Sequence, residues 1–236
     1  MSRLEQGGVL FVLGATGLTG RSLVAHAARE GYRVHAHVRP GSDGDTKADA
    51  LRPMGADVDR TPWEVEAMTE TLRRLRPDAL FLLLGTTRRR AREAAGAGRD
   101  EGYMAVDYGL TALAIDAARD AEIRPVVVYL SSAGAEGGRG AYLAARARCE
   151  EKLVASGLPY RIARPSFIVG DRPGEPRTSE RIGVPLADAA LSLAGALGAK
   201  RLRARYRSTT GELLAAALLR LAAREGDRVY ESEELR

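Results

Sequence analysis

The chain holds a single cysteine, Cys149, in 236 residues. One thiol excludes an internal disulfide and a cysteine-based zinc site, and it fits a reducing compartment. No apolar run approaches the ~20 residues needed to span a bilayer. The N-terminus carries Glu5 and passes straight into a strand-like run, which is not the pattern of a signal peptide. These features predict a soluble, cytoplasmic protein with no membrane partner. Lysine is nearly missing too. Lys47, Lys152 and Lys200 are the only three among 36 basic residues, so arginine carries almost all the positive charge. Aromatics make up 5% of the chain and leave the packing to Ala, Leu and Val. Metal-ligand spacing is absent. So is G-x-S-x-G, which leaves a serine hydrolase unsupported.

The net charge is +5, enough to attract phosphates or nucleic acid. Its sharpest cluster is Arg88, Arg89, Arg90 and Arg92, read as a solvated loop. No aromatic side chain stands in the cluster to stack on a base, so nucleic-acid binding is a distant reading.

Strand-like and helix-like stretches alternate. The strands are Val9–Leu13, Arg33–Val38, Ala56–Asp59, Ala79–Leu84, Val126–Leu130 and Pro159–Ala163. The helices are Leu18–Glu30, Glu64–Leu75, Met104–Ala121 and Tyr142–Ser156. Such alternation predicts an α/β fold, a doubly wound, Rossmann-like parallel sheet with helices on both faces. The whole chain, 1–236, reads as a single domain. Its core runs from about 8 to 165. A small C-terminal helical cap, 166–236, would shape the substrate region. In that cap, Gly170–Arg181 reads as a mobile loop and Leu186–Leu197 and Gly211–Arg224 as helices. Arg228–Glu231 reads as a last short strand or an extended tail.

The first strand runs into "GATGLTG". Strand before and helix after is the setting a dinucleotide-binding loop requires. Gly14 permits the tight turn, Gly17 lets the backbone approach a pyrophosphate, and Gly20 allows close helix packing. Thr16, Leu18 and Thr19 stand between them, where the helix N-terminus offers N–H groups to phosphate. The second strand ends in Arg39, where an NAD-selective site has a carboxylate for the ribose hydroxyl. An arginine there can pair with a 2′-phosphate, so NADP(H) is expected over NAD(H), with NAD(H) still possible. Ligands in doubly wound sheets bind beyond the carboxyl ends of the strands. Gly85, Thr86 and Thr87 leave the fourth strand at that edge. Ser131 and Ser132 leave the fifth.

"GATGLTG", "LGTTR", "VDY" (Val106–Tyr108), "LSSAGA", "YLAAR" and "RPSFIVGDR" occur in order over about residues 8 to 175. Together they resemble the short-chain dehydrogenase/reductase superfamily. More narrowly they resemble its atypical NAD(P)H-binding members, the HIV Tat-interacting-protein-like group, with NmrA-like proteins further off. In reductases of this superfamily a Ser, a Tyr and a Lys carry the chemistry. The resemblance puts these roles on Ser132 (or Ser131), Tyr142 and Arg146. Tyr142 and Arg146 stand four apart, on one helix face. Protonation of the alkoxide left by hydride transfer needs an acid. A tyrosine can serve, with a cation nearby to favour its phenolate and a serine hydroxyl to hold the carbonyl oxygen.

Arg146 departs from the family's lysine. It keeps the charge but is planar, bulkier and unable to give up a proton. Two readings of function follow. One is an NADP(H)-dependent oxidoreductase acting on an unknown small carbonyl or similar electrophile. The other is a cofactor-binding redox sensor that acts through a protein partner without turnover. Ser166–Arg177 and the helices after it would set substrate selectivity.

Overall fold

Val9–Leu13 (β1) is buried along its whole length, as a continuous apolar run requires of a strand covered on both faces. The computed structural model describes residues 4–41, 44–98, 100–170 and 208–235. After β1 come Leu18–Arg29 (α1), Arg33–His37 (β2), Gly44–Leu51 (α2), Ala56–Asp59 (β3), Val65–Leu75 (α3), Ala79–Leu82 (β4) and Arg88–Gly96 (α4). A π-helical stretch, Tyr103–Gly109, leads into Leu110–Asp120 (α5), Val126–Leu130 (β5), Gly140–Ala155 (α6), Tyr160–Arg164 (β6) and Ile168–Val169 (β7). Thr209–Thr210 (β8), Gly211–Ala222 (α7) and Arg228–Glu231 (β9) follow.

The main sheet has seven strands in the order β3-β2-β1-β4-β5-β6-β9, and every pair is parallel. Strand order reverses between β1 and β4, the place where open α/β sheets form a crevice beyond their carboxyl ends. Side chains of β1 alternate. Leu10 and Val12 join a core with Leu23, Val24 and Ala27 of α1 and Leu214 and Leu218 of α7. Phe11 and Leu13 join a second core with Met68 and Leu72 of α3, Ile115 of α5, and Cys149 and Leu153 of α6. The fold is therefore Rossmann-like and doubly wound, a single sheet with helices on both faces. Truncating a fully buried core leucine such as Leu23 costs about 2–5 kcal/mol.

Several expectations are refined. Arg228–Glu231, left open as strand or tail, is the seventh strand, in register with β6 from Arg161↔Arg228. Within the stretch read as a cap, α7 packs in the core beside α1 and β9 joins the main sheet. The expected helix Leu186–Leu197, and the loop Gly170–Arg181 beyond its first residue, lie outside the described residues. The cluster Arg88–Arg92 is corrected: it begins helix α4, not a loop. Its residues carry no apolar stripe, and a polar run has no hydrophobic period to betray a helix. Helix α2 is short, and its apolar signal is little more than Ala48 and Leu51, both buried. The single long helix expected over Met104–Ala121 begins instead with the π-helical turns of Tyr103–Gly109.

Candidate functional site

The glycines of the first loop have different reasons to be glycine. Gly14 sits at φ +85°, and a Cβ there would lie 2.5 Å from the Leu83 carbonyl oxygen at the end of β4. At Gly20 a Cβ would lie 2.2 Å from the Gly14 carbonyl oxygen, so this glycine lets α1 pack against the loop. Both needs are internal to the fold. Gly17 has neither. Its backbone is extended, and the nearest atom to an added Cβ is the Gly14 oxygen at 3.3 Å. It is exposed and caps α1 with no side chain over the helix end and no acidic residue in the first turn. The helix therefore presents backbone N–H groups and a positive dipole end past a position with no side chain. That cradle fits a dinucleotide pyrophosphate. Leu18 is turned to packing: it fills the space where side chains at Gly170 and Gly211 would stand. Thr19 is buried and Thr16 half-buried.

At the end of the second strand, Arg39 is half-exposed, and its Nη1 donates to Glu101 Oε1 at 3.0 Å. His37, two residues earlier, is buried, with Trp63 against its ring at 4.6 Å and Nε2 2.8 Å from the Thr61 carbonyl oxygen. Burial pushes its pKa down, against the Thr61 hydrogen bond and Asp59, so the ring is neutral and Nε2 donates. The partners sit on the loop after β3.

Beyond β4, the Thr86 amide donates to Asp107 Oδ2 at 2.9 Å. Asp107 is fully buried on the π-helical stretch, and its Oδ1 lies 2.8 Å from Arg146 Nη2. A side chain on exposed Gly85 would meet that same Nη2 at 2.8 Å. Arg146 is held on other sides as well. Its Nη1 donates to the Leu130 carbonyl at 2.8 Å and to the Tyr129 hydroxyl at 3.3 Å. Its guanidinium stands 5.2 Å over the Tyr142 ring, which meets Tyr103 edge-on at 5.3 Å. Burial works against the Arg146 charge, but Tyr129, Tyr142 and Asp107 outweigh it and raise its pKa, so the guanidinium stays charged. Burial also raises the Asp107 carboxyl, against the pull of Arg146 and the Thr86 amide. Among the described residues Arg146 Nε finds no acceptor although it is buried. An N–H left without a partner in the interior is costly, and an oxygen of a bound group would satisfy it.

The two serines separate. Ser131 is buried and its hydroxyl donates to Glu150, inside an ion-pair network with Arg164. Ser132 is half-buried, and among the described residues its hydroxyl makes a long 3.5 Å contact to its neighbour's carbonyl. Of the two, Ser132 is the more accessible. Arg146, Tyr142 and the Gly85–Thr86 loop come together. Arg39 and the glycine loop lie at other strand ends of the same edge. Thr87 leaves β4 with them.

Residues that sequence reasoning missed include Tyr103, Tyr129 and Glu150. Asp107 stands out in the sequence only as part of "VDY". A cavity of about 300 Å³, lined by Arg76, Asp78, Glu122 and Arg124 among others, opens at the opposite edge, where strands begin, and contains none of this machinery.

A family model described as NAD(P)H-binding matches residues 14–194. The chain is 30% identical over 165 residues to the mitochondrial protein FMP52 of Debaryomyces hansenii, a match covering 69% of this chain and 67% of that one. Among solved structures, the NAD+ complex of the enzyme WbmH of Bordetella bronchiseptica superposes with a TM-score of 0.65 at 15% identity, over 95% of this chain and 75% of that one. The triphenylmethane reductase of a Citrobacter species, complexed with NADP(H), superposes with a TM-score of 0.59 at 17% identity, over 95% and 69%.

Proposed function

The chain belongs to the NAD(P)H-binding family, and from that premise we propose that it is an NADP(H)-dependent oxidoreductase of the atypical short-chain type, acting on a small carbonyl or similar electrophile. The observation that carries this reading is the stack of the Arg146 guanidinium on the Tyr142 ring, 5.2 Å apart. It stands beside a glycine loop shaped for a pyrophosphate. Gly14, Gly17, Gly20 and the α1 N-terminus would hold the phosphates, Arg39 the 2′-phosphate, and Gly85 and Thr86 the ribose and nicotinamide side. When bound, a reduced nicotinamide supplies a hydride. This chain's residues do the rest. Ser132 holds the carbonyl oxygen by its hydroxyl. The Tyr142 hydroxyl gives its proton to the alkoxide oxygen. Arg146 steadies the phenolate left behind, by charge alone, since it cannot relay a proton.

The second reading, a redox sensor without turnover, has its own support. Asp107 lies against Arg146 and offsets its charge. The sensor reading requires a protein partner. Among the described residues no helix is long and apolar enough to cross a membrane. A cytoplasmic location is part of the proposal, to be set by fractionation against the mitochondrial assignment carried in the relative's name.

The deciding experiment is NADPH absorbance decay over a carbonyl panel. Steady consumption that disappears in Tyr142→Phe supports the reductase. Tight binding of NADPH without consumption of any panel member overturns it in favour of the sensor.

A further inference from the structure

Arg146 lies far inside for a residue so near the candidate chemistry, and what holds it there is a single acid. Asp107 sits on π-helical turns, whose wider winding departs from the α-helix and recurs at functional positions. It has no exposure, and two of its oxygens face different parts of the site. Oδ2 takes the amide of Thr86, in the loop that leaves β4. Oδ1 faces Arg146 Nη2. Its backbone carbonyl accepts from the Cys149 thiol at 3.3 Å, which ties the same turn to α6 one turn beyond Arg146. Gly85 has no side chain at the point where one would push Nη2 away.

We propose that Asp107 is a positioning residue for this site. Its one carboxylate would set the Gly85–Thr86 loop and the Arg146 cation together, fixing how much positive charge Tyr142 feels. The proposal rests on the oxidoreductase reading for its purpose, though not for its test. A buried ion pair contributes little net stability, because desolvation offsets the attraction. A packing role alone therefore gives a weak account of a pair that touches both the loop and the cation. The groups facing Arg146 are Asp107, Tyr129 and Tyr142, with Cys149 behind Tyr129. Of these only Asp107 brings a carboxylate, its Oδ1 2.8 Å from Arg146 Nη2. Remove that charge and the guanidinium acts on the tyrosine ring uncompensated.

The first test uses the protein without any nucleotide. The Tyr142 step in the ultraviolet phenolate titration is identified as the one lost in Tyr142→Phe. In Asp107→Asn, which keeps an oxygen for the Thr86 amide and removes the charge, that step should move to lower pH by about one unit or more. In the double variant Asp107→Asn/Arg146→Met the downward shift should vanish. A step that stays in place in folded Asp107→Asn overturns the charge-setting role, whatever happens to stability.

Asp107→Glu tests the other arm and serves also if the asparagine variant does not fold. It keeps the charge but displaces the acceptor from Thr86. NADPH affinity should fall about tenfold while the phenolate step stays near its original position. Unchanged affinity overturns the loop-setting role. If the unaltered protein binds no NADPH, the cofactor reading fails, and the phenolate titration still judges Asp107.

Discussion

Arg164 and Glu150 meet in a two-point pair, Nε to Oε1 at 3.0 Å and Nη2 to Oε2 at 2.6 Å. Arg164 also donates to Glu136 at 2.8 Å and Glu231 at 3.0 Å, joining β6, α6, the turn after Ser132 and β9. Both partners of the pair are buried. Arg164→Met would leave Glu150 charged, buried and unpaired, which costs about 3–5 kcal/mol. The double variant Arg164→Met/Glu150→Met should recover most of that loss. Urea unfolding midpoints of the single and double variants measure it. Equal losses in both would show that packing, not charge, holds this corner.

His37 gives the protein a pH dependence. Its folded pKa is depressed by burial below the ordinary 6.5. The unfolded chain therefore binds the proton more readily, and the stability His37 contributes is complete above about pH 6.5 and lost as pH falls towards the folded value. His37→Gln can still donate to the Thr61 carbonyl but does not titrate. Its thermal midpoint should fall less steeply than that of the unaltered protein below pH 6.5. Parallel curves would remove His37 from the acid response.

Gly17 and Gly20 should fail in different ways. Gly17→Val leaves the fold intact by circular dichroism, because nothing but the Gly14 oxygen comes near, and abolishes nucleotide binding by occupying the approach of the pyrophosphate. Gly20→Val unfolds or severely weakens the protein, since its Cβ would stand 2.2 Å from backbone. Retained nucleotide affinity in folded Gly17→Val would separate this loop from the cofactor.

Arg39 sets the expected preference for NADP(H). Arg39→Ala should cost about ten- to a hundredfold in NADP(H) affinity, the size of a charge-assisted contact, and leave NAD(H) nearly unchanged. Glu101 pairs with Arg39 at 3.0 Å, so a phosphate at Arg39 would compete with a carboxylate. Glu101→Gln should therefore tighten NADP(H) binding. Titrations of both nucleotides against the two variants check this. No preference in the unaltered protein would overturn the assignment.

Local patterns and long-range ones were not equally legible in the sequence. A strand, a spaced set of glycines and a helix are consecutive in the chain, and the physical needs of the turn are written where they act. Tyr142 and Arg146 could be paired because helical spacing is equally local. That Arg146 would be claimed by Asp107, Leu130 and Tyr129 depends on three elements meeting, and a buried aspartate looks in the sequence like an exposed one. The same blindness separated Ser131 from Ser132 only in the structure, since the distinction lies in Glu150 reaching one hydroxyl. Helices α2 and α4 were missed for a different reason: each is short and mostly polar, so the apolar spacing that marks a helix is thin even though Ala48, Leu51 and Ala94 are buried.

The packing of Leu18 against Gly211 has a consequence for how the protein is made. The helix that would bind phosphate begins the fold, but its apolar side is covered by α7, from the far end of the chain. Contacts so distant in sequence form late and fold slowly. A nascent chain that has released β1 through β6 still holds Leu23, Val24 and Ala27 without their partners Leu214 and Leu218. Until α7 emerges, the nucleotide loop rests on an incompletely packed helix, and this surface is the one for which a chaperone would compete.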